Sequence, residues 1–400
     1  MTEIVINQTQ EILLKILSAS LAGKQVHIPA DTDWSALFLE SKAQAVMPMV
    51  YSCIAQQCAD KEVLSTWKAM TMRTLQKNMR VHGQHGALHK ILTAHEIPYC
   101  IIKGSASARD YPDPLMRAMG DVDFLVPVEY WEQAKQVLIE DGFTCSGEEH
   151  PFHLSFDKKN IGMEMHRDPF GLDEAEKLQE IVPELVKNSV EITCENVTFR
   201  MCDAFGHGIV LLLHAYRHLV GAGVGVRHLC DWATFAMQFS NEEFIEIFEK
   251  RFRELGIWKL AQIFSTTAHR YLSTPYLPWM GETDPKRCEM FILDILNGGN
   301  FGRAGGDRWT QNKAIFTTEK HISETSSQRQ MIKSLNQKAM KDYPRLMRFG
   351  ILRPLGWMLL GVRYVFRVLT GKRKKVPADM MKMVELRKNL YRQLQVFEEE

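Results

Sequence analysis

The stretch "SARDYPDPLMRAMGDVDFLV" (Ser107–Val126) decides how this chain is read. A turn-rich segment closes at Gly120, and two aspartates, Asp121 and Asp123, then fall among Val122, Phe124, Leu125 and Val126. The apolar members have the composition of a buried strand. Side chains alternate along a strand, so Asp121 and Asp123 point to one face. Carboxylates that close repel unless a cation lies between them. Magnesium, or manganese in its place, takes hard oxygen ligands and keeps positions for phosphate oxygens. An isolated D-x-D is more often a solvated turn, so its neighbours carry the weight. The short apolar run "PYCIIKG" (98–104) precedes the pair, and Glu164 adds a third carboxylate in a later alternating segment.

Around this core the pattern changes period. Residues 8 to 96 have apolar positions at helical spacing, with Asp33 as a cap. "VEYWEQAKQVLIEDGF" (128–143) predicts an amphipathic helix with a glycine stop. "FHLSFDKKNIGMEMHR" (152–167) predicts a hairpin turning at "DKKN", and "SVEITCENVTFRMC" (189–202) another turning at Glu195–Asn196. From Ala204 helices return, two of them around a glycine-rich joint, and continue to about residue 295. The reading is an α+β chain: a small mixed sheet with flanking helices and a helical C-terminal region. It divides into a helical region at 1–96, an α/β core at 97–203, a helical substrate-side domain at 204–300, a polar connecting segment at 301–332 and a helical region at 333–400.

The chain has 400 residues, 45% hydrophobic and 24% charged, so the core can be large and more than one domain is expected. A net charge of +1 gives the whole molecule no strong pull on nucleic acid or membrane. The 8 cysteines contain no C-x-x-C pair, and the N-terminus has no cleavage signal, which fits reduced thiols in a cytoplasmic protein. No apolar run is long enough to predict a transmembrane helix.

In order, "IIKGS…RAMGDVDFLV…MEMHR" resembles the polymerase-β-like nucleotidyltransferase superfamily. The closest likeness is to a poorly characterised bacterial nucleotidyltransferase family with a Lys-Gly turn, an Arg-x-x-Gly-Asp-x-Asp segment and an acidic-x-His strand. The likeness extends over roughly residues 10 to 300, including "LLLHAYRHLVGAGVGVRHLCDWA" (211–233). It implies that Asp121, Asp123 and Glu164 are catalytic metal ligands. It also implies that Gly104 and Ser105 meet the triphosphate at a helix start, and that the reaction moves a nucleoside monophosphate from a nucleoside triphosphate to an acceptor hydroxyl. The acceptor is a small molecule, a protein side chain or an RNA end. The stretch from Gly104 to Asp121 is longer than in common members of the superfamily, and the third acid is glutamate where aspartate is frequent.

Lys103 and Arg117 are the cations expected to touch phosphate, Arg117 through a two-pronged fork. A solvated lysine at a strand end, and an Arg117 pair with Asp121 or Asp113, are the plainer readings. His166 shares a face with Glu164 and either orients it, contacts the base or is a core histidine. His214 and His218 stand one helical turn apart, as a metal pair would, but Ala215 occupies the glutamate position of H-E-x-x-H, so packing or cleft lining is expected. Arg227 and Asp231 are spaced for a helical ion pair, with substrate contact as the other reading. The segment 341–375 is strongly basic. Leu355, Leu359, Val362, Phe366 and Leu369 form an apolar stripe there, expected to pack on the protein, with contact to an anionic surface or RNA as the alternative.

Two other functions compete with nucleotidyl transfer. A glycosyltransferase also uses D-x-D to hold the metal of a nucleotide-sugar, but leaves the Gly-Ser turn and Glu164 without a role. A nucleotide-binding module that has lost turnover has no need of three acids.

Overall fold

In the computed structural model the described residues are 5–146, 152–158, 161–170, 176–220, 223–300 and scattered positions from 336 to 396. The predicted segment 301–332 and the "DKKN" turn at Lys159–Asn160 lie outside them. The chain forms two compact units, one of Met1–Arg303 with Leu394–Glu400 and the other of Ala304–Gln393.

The first unit opens with four helices: α1 (Gln8–Leu21), α2 (Trp34–Ala43), α3 (Met47–Ile54) and α4 (Lys61–Ala94). Asp33 caps α2 by accepting the amide of Ala36 at 2.9 Å. Then come β1 (Cys100–Ile101), the one-turn helix α5 (Ser105–Ala108), β2 (Val122–Leu125) and α6 (Trp131–Glu140). The remaining strands are β3 (Thr144–Ser146), β4 (His153–Lys158), β5 (Ile161–His166), β6 (Val190–Cys194) and β7 (Val197–Met201), with α7 (Glu176–Lys187) before β6. They make one seven-stranded mixed sheet in the order β3-β4-β5-β2-β1-β7-β6. The β6–β7 turn places Glu195 and Asn196 at φ 45° and 65°, the left-handed pair of a tight hairpin.

Two predictions from periodicity were incomplete. β3 was missed because three residues leave too little alternation. α7 was missed because Pro183 interrupts it, although Leu178, Ile181, Leu185 and Val186 keep helical spacing and are buried.

The pairing that matters most is parallel: Val122, Asp123, Phe124 and Leu125 of β2 lie beside Met163, Glu164, Met165 and His166 of β5. Alternation then sorts the faces. Val122, Phe124, Met163 and Met165 join Val81, Leu88 and Leu92 of α4 and Ala134, Val137 and Leu138 of α6 in one core cluster. Asp123, Glu164 and His166 fall on the opposite face.

Helices α8 (Ala204–Val220) and α9 (Val226–Ala236) follow. After them come α10 (Asn241–Phe244), a π turn (Ile245–Glu249), α11 (Lys250–Glu254), α12 (Trp258–Leu272) and α13 (Pro285–Gly298). This part is held by aromatic packing: Phe244 stacks on Trp279 at 3.7 Å between centroids, and Trp232 meets Phe235 and Phe264.

In the second unit, α14 (Arg353–Leu369) carries the predicted apolar stripe. The expected packing does not hold for Leu355 and Val362, which are 41% and 58% exposed. On the same helix Trp357 donates to Asn336 at 3.1 Å, and Gly356 beside it is buried. Side chains of Phe366 and Leu369 lie outside the described set.

The register makes a stability prediction. Met165→Ala removes a fully buried side chain and should lower unfolding free energy by about 2–5 kcal/mol. Glu164→Gln, on the other face, should change it by about 1 kcal/mol or less. Chemical denaturation of both variants checks this; equal losses would contradict the facing.

Candidate active site

The sheet face that carries Asp123 and Glu164 meets α8 and α9 across a cleft of about 320 Å³. Lys103, Gly104, Asp121, Asp123 and Glu164 line it from the sheet side, and His214, His218, Arg227 and Asp231 from the helices. Arg117 also borders it.

At its floor the charges are closely coupled. The Lys103 ammonium lies 2.6 Å from Asp123 Oδ1, and His166 Nε2 lies 3.0 Å from the same oxygen and 3.3 Å from Glu164 Oε2. Because both partners are carboxylate oxygens, Nε2 carries the proton and donates. Burial alone would raise the Asp123 pKa, but Lys103 beside it and the His166 hydrogen bond hold it well below the usual carboxylate range. Burial alone would lower His166, and the hydrogen bonds to Asp123 and Glu164 raise it. Glu164 is lowered, first by its hydrogen bond from His166. Asp121 differs: burial, then the charges of Asp123 and Glu164, push it up to about 6. One carboxylate of the D-x-D thus has its counter-charge and the other does not. Among the described residues, the acid-bearing group of donor atoms within 4.8 Å of one another is His153, Glu164 and His166. Asp121 and Asp123 stand beside that group in the cleft wall.

Several expected roles change. Arg117 offers no fork to a ligand, because its Nε and Nη2 grip Asp231 at 2.8 and 2.7 Å, and Tyr111 donates its hydroxyl to the same carboxylate at 2.6 Å. A buried guanidinium takes the partner that meets it bidentately. The predicted Arg227–Asp231 helical pair is replaced accordingly. Arg227 donates instead to the Ala118 carbonyl at 2.9 Å, and its Nε is buried without a hydrogen-bond partner. The Ser105 hydroxyl faces away from the cleft. His82 Nε2 donates to the Cys194 carbonyl at 2.8 Å, so its Nδ1 accepts from Ser105 at 2.7 Å. Gly104 sits at φ 66°, and a Cβ there would lie 3.1 Å from His85 Nε2, so the turn requires glycine.

Sequence reasoning missed Tyr111, Ser107, His153, Arg217 and His228, all but Tyr111 in the cleft lining. Ser107 Oγ is buried there without a partner. His153 was within reach, since the predicted hairpin pairs it directly with His166.

Residues 30–273 match the model of a family described as uncharacterised nucleotidyltransferase, which is more than half of the chain. The chain belongs to this family, and it is an enzyme that transfers nucleotidyl groups. No curated protein and no solved structure matches it. Among the described residues, no helix is long and apolar enough to cross a membrane.

The raised Asp121 pKa has a sign that can be tested. A folded-state value of about 6 against 3.8 gives relative stability present below about pH 4 and lost as pH rises through 6. With chelator present, Asp121→Asn should therefore be more stable than the natural protein at pH 7.5. The gap, at most about 3 kcal/mol, should narrow toward pH 4. Denaturation curves at both pH values check it; a gap of zero at pH 7.5, or one that persists at pH 4, would contradict the uncompensated charge.

Proposed function

We propose that the protein moves a nucleoside monophosphate group from a nucleoside triphosphate to an acceptor hydroxyl, with a divalent metal, on a core of the polymerase-β-like kind. The observation that carries this reading is the register of β2 and β5, which sets Asp123 beside Glu164 with Asp121 in the same cleft wall. The donor chemistry fits: these are hard carboxylate oxygens, and at Asp121 burial with the like charges of Asp123 and Glu164 outweighs the opposite charge of Lys103. Asp121, Asp123 and Glu164 would hold magnesium or manganese. When bound, the metal offsets triphosphate charge and lowers the pKa of the acceptor hydroxyl.

The protein's own groups do the rest. His166 orients Asp123 and Glu164 through its donated N–H. Lys103 is the counter-charge of Asp123 and reaches a phosphate oxygen from the same wall. Arg227, with its unpartnered Nε, takes the phosphate role expected of Arg117. Arg117, Tyr111 and Asp231 brace the loop before β2 against α9. Transfer joins the acceptor oxygen to the α-phosphorus as the bond to pyrophosphate breaks, and catalysis is mostly positioning and charge neutralisation.

Calorimetry with a non-hydrolysable triphosphate analogue tests the binding half. Affinity should depend on magnesium or manganese and fall in Lys103→Ala and Arg227→Ala; equal affinity with chelator, or in the double variant, would contradict it. Pyrophosphate release in the presence of cell extract tests the chemistry. Asp121→Asn and Asp123→Asn should each abolish it in folded protein, a loss of several kcal/mol of transition-state stabilisation. Glu164→Gln should lower turnover far more than it weakens analogue binding. Unchanged release in both aspartate variants would overturn the assignment.

A further inference from the structure

Opposite the carboxylates, the same cleft contains a cluster of different chemistry. His214 and His218 lie one turn apart on α8, and His228 comes from the first turn of α9, which packs against it. Ring centroids are 4.4 Å apart for His214 and His218, 5.6 Å for His214 and His228, and 5.3 Å for His218 and His228. One nitrogen from each lies within 4.8 Å of the other two. All three rings line the cleft. We propose that His214, His218 and His228 form a three-imidazole zinc site whose fourth position opens to the cleft.

Ligand type and geometry support it. Imidazole nitrogen suits zinc, whereas magnesium prefers oxygen, so this site and the carboxylates select different metals. Nitrogens about 2.0 Å from one tetrahedral zinc are about 3.3 Å apart, so from within 4.8 Å of one another the ligand atoms need to close by at most about 1.5 Å. Small side-chain rotations on two packed helices supply that movement. Three protein ligands with an open fourth position are the arrangement of zinc sites that bind a water or a substrate atom. The His214 Nδ1 is buried with no hydrogen-bond partner, an unusual state for a polar atom that a metal or a bound molecule would relieve. His228 Nδ1 lies 3.4 Å from the Gly225 carbonyl, a contact that favours the proton on Nδ1 and would make Nε2 its metal-ligating atom.

The surroundings define what the open position takes. Lys103, Arg217 and Arg227 border the same cleft. They oppose a bare dication and favour zinc with an anionic oxygen in its fourth position, such as hydroxide or a carboxylate. The metal site is independent of the nucleotidyl-transfer reading, because zinc binding is read without turnover.

The test uses chelator-stripped full-length protein titrated with zinc in competition with a chromophoric chelator, and with cobalt as a spectroscopic substitute. The natural protein should bind zinc and, with cobalt, show the visible absorption of a tetrahedral centre. His214→Ala and His218→Gln, each checked for fold by circular dichroism, should weaken zinc binding more than about a hundred-fold, beyond the ten- to hundred-fold typical of losing an outer partner. His153→Ala, in the other donor group, should leave it in place. No zinc binding by the natural protein would overturn the proposal. So would binding that survives in both cluster variants, or that is lost only in His153→Ala. If either cluster variant fails to fold, the other variant and the cobalt spectrum of the natural protein decide.

Discussion

The site depends on the in-register parallel pairing of β2 with β5. A slip of one residue would turn Asp123 into the core and bring Phe124 into the cleft, since strand faces alternate. The apolar half of each strand prevents that slip. Val122, Phe124, Met163 and Met165 are fully buried against α4 and α6, and their burial holds Asp123 and Glu164 on the other face. Hydrophobic packing on one side of the sheet therefore fixes the position of charge on the other.

That charge is expensive to keep in a half-closed cleft, and the structure offsets it unevenly. Asp123 is almost wholly buried and has both Lys103 and His166 against one oxygen. Asp231, equally buried, is gripped by Arg117 and receives a hydrogen bond from Tyr111. Removing one partner from such a buried pair typically costs about 3–5 kcal/mol, so both pairs tie remote segments together. At Asp121 burial first, and then the charges of Asp123 and Glu164, push the carboxyl up to about 6 against the pull of Lys103.

Much of this was legible in the sequence because local patterns set it. Alternation in "DVDFLV" and "IGMEMH" separates acids from apolar residues, and the left-handed turn at Glu195–Asn196 follows from turn chemistry. What was not legible is partner choice over long separations. Spacing offered Asp231 to Arg227 on one helix, but the bidentate geometry of Arg117, more than a hundred residues away, takes it. The Ser105 hydroxyl is held by His82 on α4, a contact that no local pattern announces, while the expected phosphate role of this turn rests on its backbone N–H groups. His228 escaped notice because its companions lie on another helix and no periodic pattern links them. Chain-local rules identify which residues can do chemistry; packing decides which of them meet.

As proposed, this cleft transfers the α-phosphoryl end of a nucleoside triphosphate. The most direct measurement incubates the protein and cell extract with a triphosphate labelled at either the α or the γ phosphorus. The α label is expected to enter an acceptor and the γ label to leave only as pyrophosphate, and neither is expected with the Asp123→Asn protein. Transfer of the γ label to the acceptor, or α labelling that persists without Asp123, would contradict it.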